Sequence, residues 1–254
     1  VNKVLEDGYL GMGKYVGLFE ENLKNLLKRE AVCVVNGTAA LQLALQGCDI
    51  GKGDEVLVQS ITYLASFQAI SAVGAIPIPC DIETNSLTLS IEDAKNKITK
   101  KTKAIMPVHY AGHIGKYNEI YDLAKKNNLR VIEDAAHAFG TKEGNKLVGS
   151  FGDIVCFSFD GIKNITSGEG GCIVTCDEKV LKRVKDLRLL GVINDSESRY
   201  AGKRSWEFDV NEQGWRYHMS DLMAAIGIEQ LKKLDEFREI RQQLAMHYDM
   251  CLTK

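Results

Sequence analysis

Short apolar runs of four to six residues recur along this chain, separated by longer stretches in which apolar positions return with helical spacing. The runs Ala31–Val35, Glu55–Gln59, Ala75–Cys80, Lys103–Val108, Arg130–Glu133, Ile154–Phe159 and Gly171–Thr175 predict seven strands. Helical spacing covers Thr38–Gln46, Ser66–Val73 and Lys116–Asn127. Strands flush with Val and Ile have no polar face, so they are buried on both sides, and helix-length connections let them run parallel. The pattern predicts α/β layering around a largely parallel sheet.

After Lys179 the pattern changes. Val180–Leu190 reads as a helix, and Gly191–Glu212 is polar, irregular and rich in charge. Met219–Leu234 is strongly helical, with Leu222, Ala225, Ile226, Ile228, Glu229 and Leu231 on heptad-like spacing, and the helix is expected to run on to the end of the chain. A chain that stops inside or just past a helix without a cap predicts that further material belongs beyond it.

Composition narrows the function. The 254 residues are 45% hydrophobic and 26% charged, an ordinary globular balance. A net charge of −2 supplies no basic field for nucleic acid or an anionic membrane, so any bound anion must be met by a local site. The seven cysteines lie mostly in apolar runs, form no CxxC pair and suit a reducing compartment. Cys172 and Cys176, four apart in a strand-like run, are a poor metal arrangement, and no metal site is expected. No apolar stretch approaches the roughly 20 residues that span a bilayer. The opening residues Val1–Asp7 are not a signal peptide, so the expected location is the cytoplasm.

Five features carry candidate chemistry. Lys163 lies between two core strands in Ser158-Phe159-Asp160-Gly161-Ile162-Lys163-Asn164-Ile165-Thr166-Ser167-Gly168-Glu169-Gly170-Gly171, an unusual place for a solvated residue. A lysine held near a carbonyl forms a Schiff base. Asn36-Gly37-Thr38-Ala39-Ala40 joins a strand to a helix through a tight turn, where outward amides and the helix dipole favour an anion. The same residues also suit a plain helix cap by Asn36 or Thr38. Glu133-Asp134-Ala135-Ala136-His137 ends a buried strand, the end at which α/β proteins bind ligands. An acid there can pair with a protonated ring nitrogen, or cap a helix. Glu133 and Asp134 point to opposite faces, so only one is expected in the site. Ser158 can donate to a phosphate or cap a turn, and Tyr63 can offer a flat face or fill core. A phosphate cup, a stacking ring, a pyridinium partner and a Schiff-base lysine are together what pyridoxal 5'-phosphate requires.

With these motifs the chain resembles the DegT/StrS-type nucleotide-sugar aminotransferases, fold-type I pyridoxal-phosphate enzymes. The resemblance runs from Asp7-Gly8-Tyr9-Leu10-Gly11-Met12-Gly13 through the Asn36 turn, Val108-His109-Tyr110-Ala111-Gly112, Glu133–His137 and the Lys163 segment to Met219-Ser220-Asp221-Leu222-Met223-Ala224-Ala225-Ile226-Gly227. It implies a three-layer α/β/α large domain over residues 1–215 with a mostly parallel seven-stranded sheet. Residues 216–254 would form a long helix leading into a small C-terminal domain that is missing or only begun. It further implies that Lys163 holds the cofactor as a Schiff base and shuttles the proton, and that Asp134 keeps the pyridine nitrogen protonated. The turn at Gly37, with the Thr38 and Ala39 amides and Ser158, would bind the phosphate, and Tyr63 would stack near the ring. His137 stands where the family often has glutamine, near the ring. Arg216 stands where many relatives have asparagine, a residue that reaches the phosphate of the neighbouring subunit, so a homodimer with shared sites is expected.

The implied reaction moves an amino group, with glutamate the usual donor, onto a keto-deoxysugar of a nucleoside-diphosphate sugar. Two alternatives stand beside it. A related deoxysugar dehydratase is disfavoured by Lys163, because those relatives carry histidine there. A non-catalytic regulatory protein that keeps the fold is disfavoured by the intact Lys163, Asp134 and Ser158 set.

Overall fold

All seven apolar runs become strands of one sheet. In the computed structural model, which describes residues 1–203 and 207–252, these are β1 (Glu30–Val34), β2 (Glu55–Gln59), β3 (Ile76–Cys80), β4 (Thr102–Met106), β5 (Arg130–Asp134), β8 (Ile154–Ser158) and β9 (Gly171–Thr175). A two-residue-per-strand hairpin, β6 (Lys142–Glu143) and β7 (Lys146–Leu147), stands apart from them. The sheet order is β1-β9-β8-β5-β4-β2-β3. Strands β3, β2, β4, β5 and β8 pair in parallel, whereas β9 runs antiparallel to both of its neighbours.

Helices cover both faces, and the alternation of side chains along each strand decides which face each residue serves. On one face α3 (Gly37–Gly47), α4 (Leu64–Ala72) and α7 (Glu178–Leu187) bury Leu43, Ile70 and Val184 against Val32, Val58 and Ile132. On the other, α2 (Lys14–Leu27) and α9 (Asp221–Leu231) bury Phe19, Leu23 and Ile228 against Cys33, Val155 and Phe157. Further along that face, α5 (Ile91–Lys97) and α6 (Tyr117–Asn127) bury Ala94, Ile120 and Leu123 against Leu57, Ile105 and Val131. The outcome is the expected α/β/α sandwich. α1 (Asn2–Asp7) precedes it at the chain start.

Two expectations change. The helix read over Met219–Leu234 and beyond is two helices: α9 ends at Leu231, and α10 (Leu234–Leu252) begins after a turn at Lys232–Lys233. Leu234 is buried in the same core as Ile228, and the turn lets both reach it. The segment Gly191–Glu212 is not wholly irregular, since it holds α8 (Asp195–Tyr200); residues 204–206 lie outside the described residues. A buried ion pair docks α8. The Arg188 guanidinium donates to Glu20 Oε1 at 2.5 Å, to the Cys33 carbonyl at 2.6 Å, and to Ser196 Oγ and Tyr200 Oη of α8 at 3.1 and 2.5 Å. Burial alone would disfavour the charge, but Glu20 beside it holds the Arg188 pKa above the ordinary value. The seven cysteines are all free thiols, and no described helix is long and apolar enough to cross a membrane.

The head of the sheet is tight. Gly171 opens β9 opposite Val34 and Ser158, and a Cβ on it would lie 2.6 Å from the Asn36 carbonyl carbon and oxygen. Backbone cannot yield as a flexible side chain does, so Gly171→Ala should destabilise the fold by about 1–3 kcal/mol, measured by urea unfolding.

Candidate active site

At the carboxyl ends of the parallel strands lies a cavity of about 690 Å³. The strands end there because β2, β5 and β8 give way to turns that carry polar residues, leaving backbone amides and side chains facing one space. Gly37, Thr38, Tyr63, Asp134, His137, Ser158 and Lys163 all line it.

Asp134, the last residue of β5, is 5% exposed and projects on the α3/α4 side, the face that Ile132 also serves. Its Oδ2 accepts from Ser66 Oγ of α4 at 2.7 Å, and its Oδ1 accepts from the Ala136 amide at 3.2 Å. Ser66 Oγ in turn lies 2.7 Å from Thr62 Oγ1. One donor on each oxygen fixes the carboxylate plane. Glu133 goes the other way, as alternation requires, into the layer of α6.

The turn after β1 forms the second wall. Asn36 caps α3, its Oδ1 accepting from the Ala39 amide at 2.8 Å. This differs from the expectation for Ala39: the cap occupies its amide, Ala39 does not line the cavity, and the first-turn amides left for an anion are those of Gly37 and Thr38. A Cβ on Gly37 would lie 2.8 Å from Ser158 Cβ, so glycine is what lets the helix N-terminus and the Ser158 hydroxyl border the same space. A helix N-terminus, two open amides and an adjacent hydroxyl suit a phosphate.

Lys163 stands on a turn closed by its own amide donating to the Asp160 carbonyl at 3.0 Å and by the Ile162 amide donating to Asp160 Oδ1 at 3.1 Å. Next to it, Asn164 Nδ2 donates to the Phe139 carbonyl at 2.6 Å and to the His137 carbonyl at 3.4 Å. That clamp ties the lysine turn to the loop that follows Asp134. Among the described residues the Lys163 ammonium has no hydrogen-bond or ion-pair partner. His137 is partly buried, and its Nδ1 accepts from the Ala111 amide at 3.4 Å. Burial, then the positive charge of Lys163, pushes the His137 pKa below its ordinary 6.5, with Asp134 pulling weakly the other way.

Tyr63 borders the cavity but is 76% exposed, so it is rim and not core. It does not end a strand: β2 stops at Gln59, and Tyr63 is the N-cap residue of α4. Arg216 is exposed, forms a bridge with Leu189 and does not line the cavity of its own chain. Ser66 carries no sequence signal of its own, because α4 also holds Gln68 and Ser71 and only packing singles Ser66 out as the buried hydroxyl. Asp160 and Glu169 also line the cavity, in the segment already singled out for Lys163.

A doubly covered, mostly parallel sheet with a lysine, a pinned carboxylate and a helix-N-terminal anion cup at the strand ends defines an α/β protein of the pyridoxal-phosphate transferase type. The chain belongs to the DegT/DnrJ/EryC1/StrS aminotransferase family, whose model matches residues 1–254. It is 42% identical over 250 residues to the GDP-perosamine synthase of Escherichia coli O157:H7, covering 98% of this chain and 66% of that one. The GDP-perosamine synthase of Vibrio cholerae is 40% identical over 250 residues, covering 98% of this chain and 65% of the relative. Among solved structures, S. venezuelae DesV superposes with a TM-score of 0.89 at 33% identity, over 98% of this chain and 64% of that one. NtdA from Bacillus subtilis with bound cofactor PMP gives 0.87 at 30% identity, over 99% and 55%. The chain thus spans less than two thirds of the length of the curated relatives it matches.

The His137 shift has a definite sign. Protonating this imidazole is harder in the folded state, so its contribution to stability is complete above pH 6.5 and declines as pH falls from there toward the lowered folded value. An NMR titration should place the His137 midpoint below 6.5, and Lys163→Met should raise it.

Proposed function

We propose that this protein is a pyridoxal 5'-phosphate-dependent aminotransferase that moves an amino group, with glutamate as donor, onto a keto-deoxysugar carried by a nucleoside diphosphate. The observation that carries the reading is the convergence of Lys163, Asp134 and the Gly37–Thr38–Ser158 cup on one cavity. The residues fit the group on geometry, since the Gly37–Ser158 approach leaves a cradle that any Cβ would fill.

When bound, the cofactor supplies an aldehyde that condenses with amines and a ring that accepts electrons from the substrate carbon. The chain's own residues do the rest. The Gly37 and Thr38 amides and Ser158 Oγ hold the phosphate. Asp134, oriented by Ser66 and the Ala136 amide, would hold a proton on the ring nitrogen. Lys163 would anchor the group covalently, and its free amine would move a proton at the substrate carbon. A lysine with no ion-pair partner among the described residues has no anion there to leave, which suits that double use.

In this reading residues 1–215 form the cofactor-binding unit, and residues 216–254 lead out of it, with α9 packed back against α2. The protein acts in the cytoplasm as a homodimer. Arg216 would reach the phosphate of the neighbouring subunit, where a guanidinium meets the anion with a formal charge. The GDP-perosamine synthases among its relatives support a nucleotide-sugar substrate.

Borohydride treatment of the full-length protein with pyridoxal 5'-phosphate should leave the cofactor's mass on the Lys163 peptide, and Lys163→Ala should abolish both adduct and transamination. No adduct in the wild type would sink the reading. Arg216→Ala should weaken cofactor binding by about tenfold or more, as loss of a charge-assisted contact does; unchanged affinity would remove Arg216 from the site.

A further inference from the structure

On the face of the sheet away from the cavity, directly behind Asp134, three polar side chains meet in an apolar layer. His109 Nε2 lies 2.7 Å from Glu133 Oε2, and Tyr121 Oη of α6 donates to Glu133 Oε1 at 2.5 Å. Tyr121 Oη also accepts from the Asp153 amide at 2.7 Å. Glu133 is 0% and His109 2% exposed. The surrounding layer is Leu57, Ile105, Ile120 and Val131.

The backbone beside this pair is weakly laddered. Register between β4 and β5 covers only Ala104 with Arg130 and Ile105 with Val131, and then resumes as a single bridge, Val108 with Asp134. At that bridge the His109 amide donates to the Asp134 carbonyl at 3.0 Å, and the Asp134 amide donates to the Pro107 carbonyl at 2.9 Å. The same two residues that flank the bridge, His109 and Glu133, are joined by their side chains. A buried pair of this kind is often no more stabilising than apolar residues of equal volume, so stability alone does not account for it. What it adds is direction. It bolts the segment just past β4 to the end of β5 where the ladder thins, one residue from the carboxylate that faces the cavity.

We propose that His109 and Glu133 are positioning residues that hold Asp134 in register with the cofactor ring. The inference rests on the proposed role of Asp134. His109 touches neither substrate nor cofactor in this scheme; it acts through the β5 backbone.

The test uses the full-length protein with pyridoxal 5'-phosphate as the probe. It is read as the melting temperature of the apo protein, the cofactor dissociation constant, and circular dichroism in the cofactor's absorption band, which reports ring seating. The double variant His109→Leu with Glu133→Met keeps the layer filled and removes the link. It should melt somewhat below the wild-type temperature, because the Tyr121 hydroxyl loses its acceptor, yet stay folded, bind the cofactor about tenfold or more weakly and lose much of the dichroic band. His109→Gln, whose amide can still reach Glu133, should restore both, and His109→Asn, which is too short, should not. Wild-type affinity and dichroism in the double variant would overturn the proposal. So would equal behaviour of the Gln and Asn variants, the comparison that decides if the double variant fails to fold. A wild-type protein that binds no cofactor refutes the proposed function itself, and this inference with it.

Discussion

Three backbone segments meet at the head of the sheet at separations that side chains would forbid, and the site depends on that meeting. The start of β9, the turn after β1 and the end of β8 come together at Gly171, Gly37 and Ser158. Because β9 runs against both its neighbours, its first residue sits at the strand ends where they finish. The chain therefore crosses the mouth of the site between Ser158 and Gly171, and Lys163 rides on that crossing. A methyl group at either glycine would strike backbone or Ser158 Cβ, and the anion cup, the hydroxyl and the lysine would be displaced together.

Strand β5 is the second organising element, and it works on both faces. Its alternation sends Asp134 toward Ser66 and the cavity, and Glu133 toward His109 and Tyr121. Both carboxylates are buried, and each is satisfied by two donors. This is the condition under which burying an acid is tolerable. Tyr121 shows the cost of the arrangement: burial, and then the charge of Glu133, holds its hydroxyl well above the ordinary pKa, so it stays a donor throughout the physiological range.

Charge is used the same way elsewhere in the core. Arg29 donates to the carbonyls of Gly149, Phe151, Gly152 and Asp153, fastening the approach to β8. Asp221 accepts from the amides of Gly13 and Val16 and so caps α2 from α9. In each case a buried ion closes a loop or a helix end that would otherwise leave backbone groups unpaired. The apolar layers hold the sandwich together, while these polar ties decide where the loops lie.

The strands, their burial on both faces, and the helices between them follow from local periodicity, because a β-strand repeats every two residues and a helix every 3.6. For the same reason Glu133 and Asp134 could be assigned to opposite faces, and Gly37, Asp134, Ser158 and Lys163 to strand ends, before any coordinates. The sequence by itself thus determined the layered architecture and most of the residues that gather at one end of it. The partners were decided only in three dimensions. Ser66 meets Asp134 from 68 positions away, the Asn36 side chain takes the Ala39 amide, α9 and α10 part at a turn and Leu234 joins the core, and Tyr200 of α8 meets the buried Arg188. Hydrogen bonds act only between atoms that packing has brought within about 3 Å, so which donor meets which acceptor has no periodic trace along the chain.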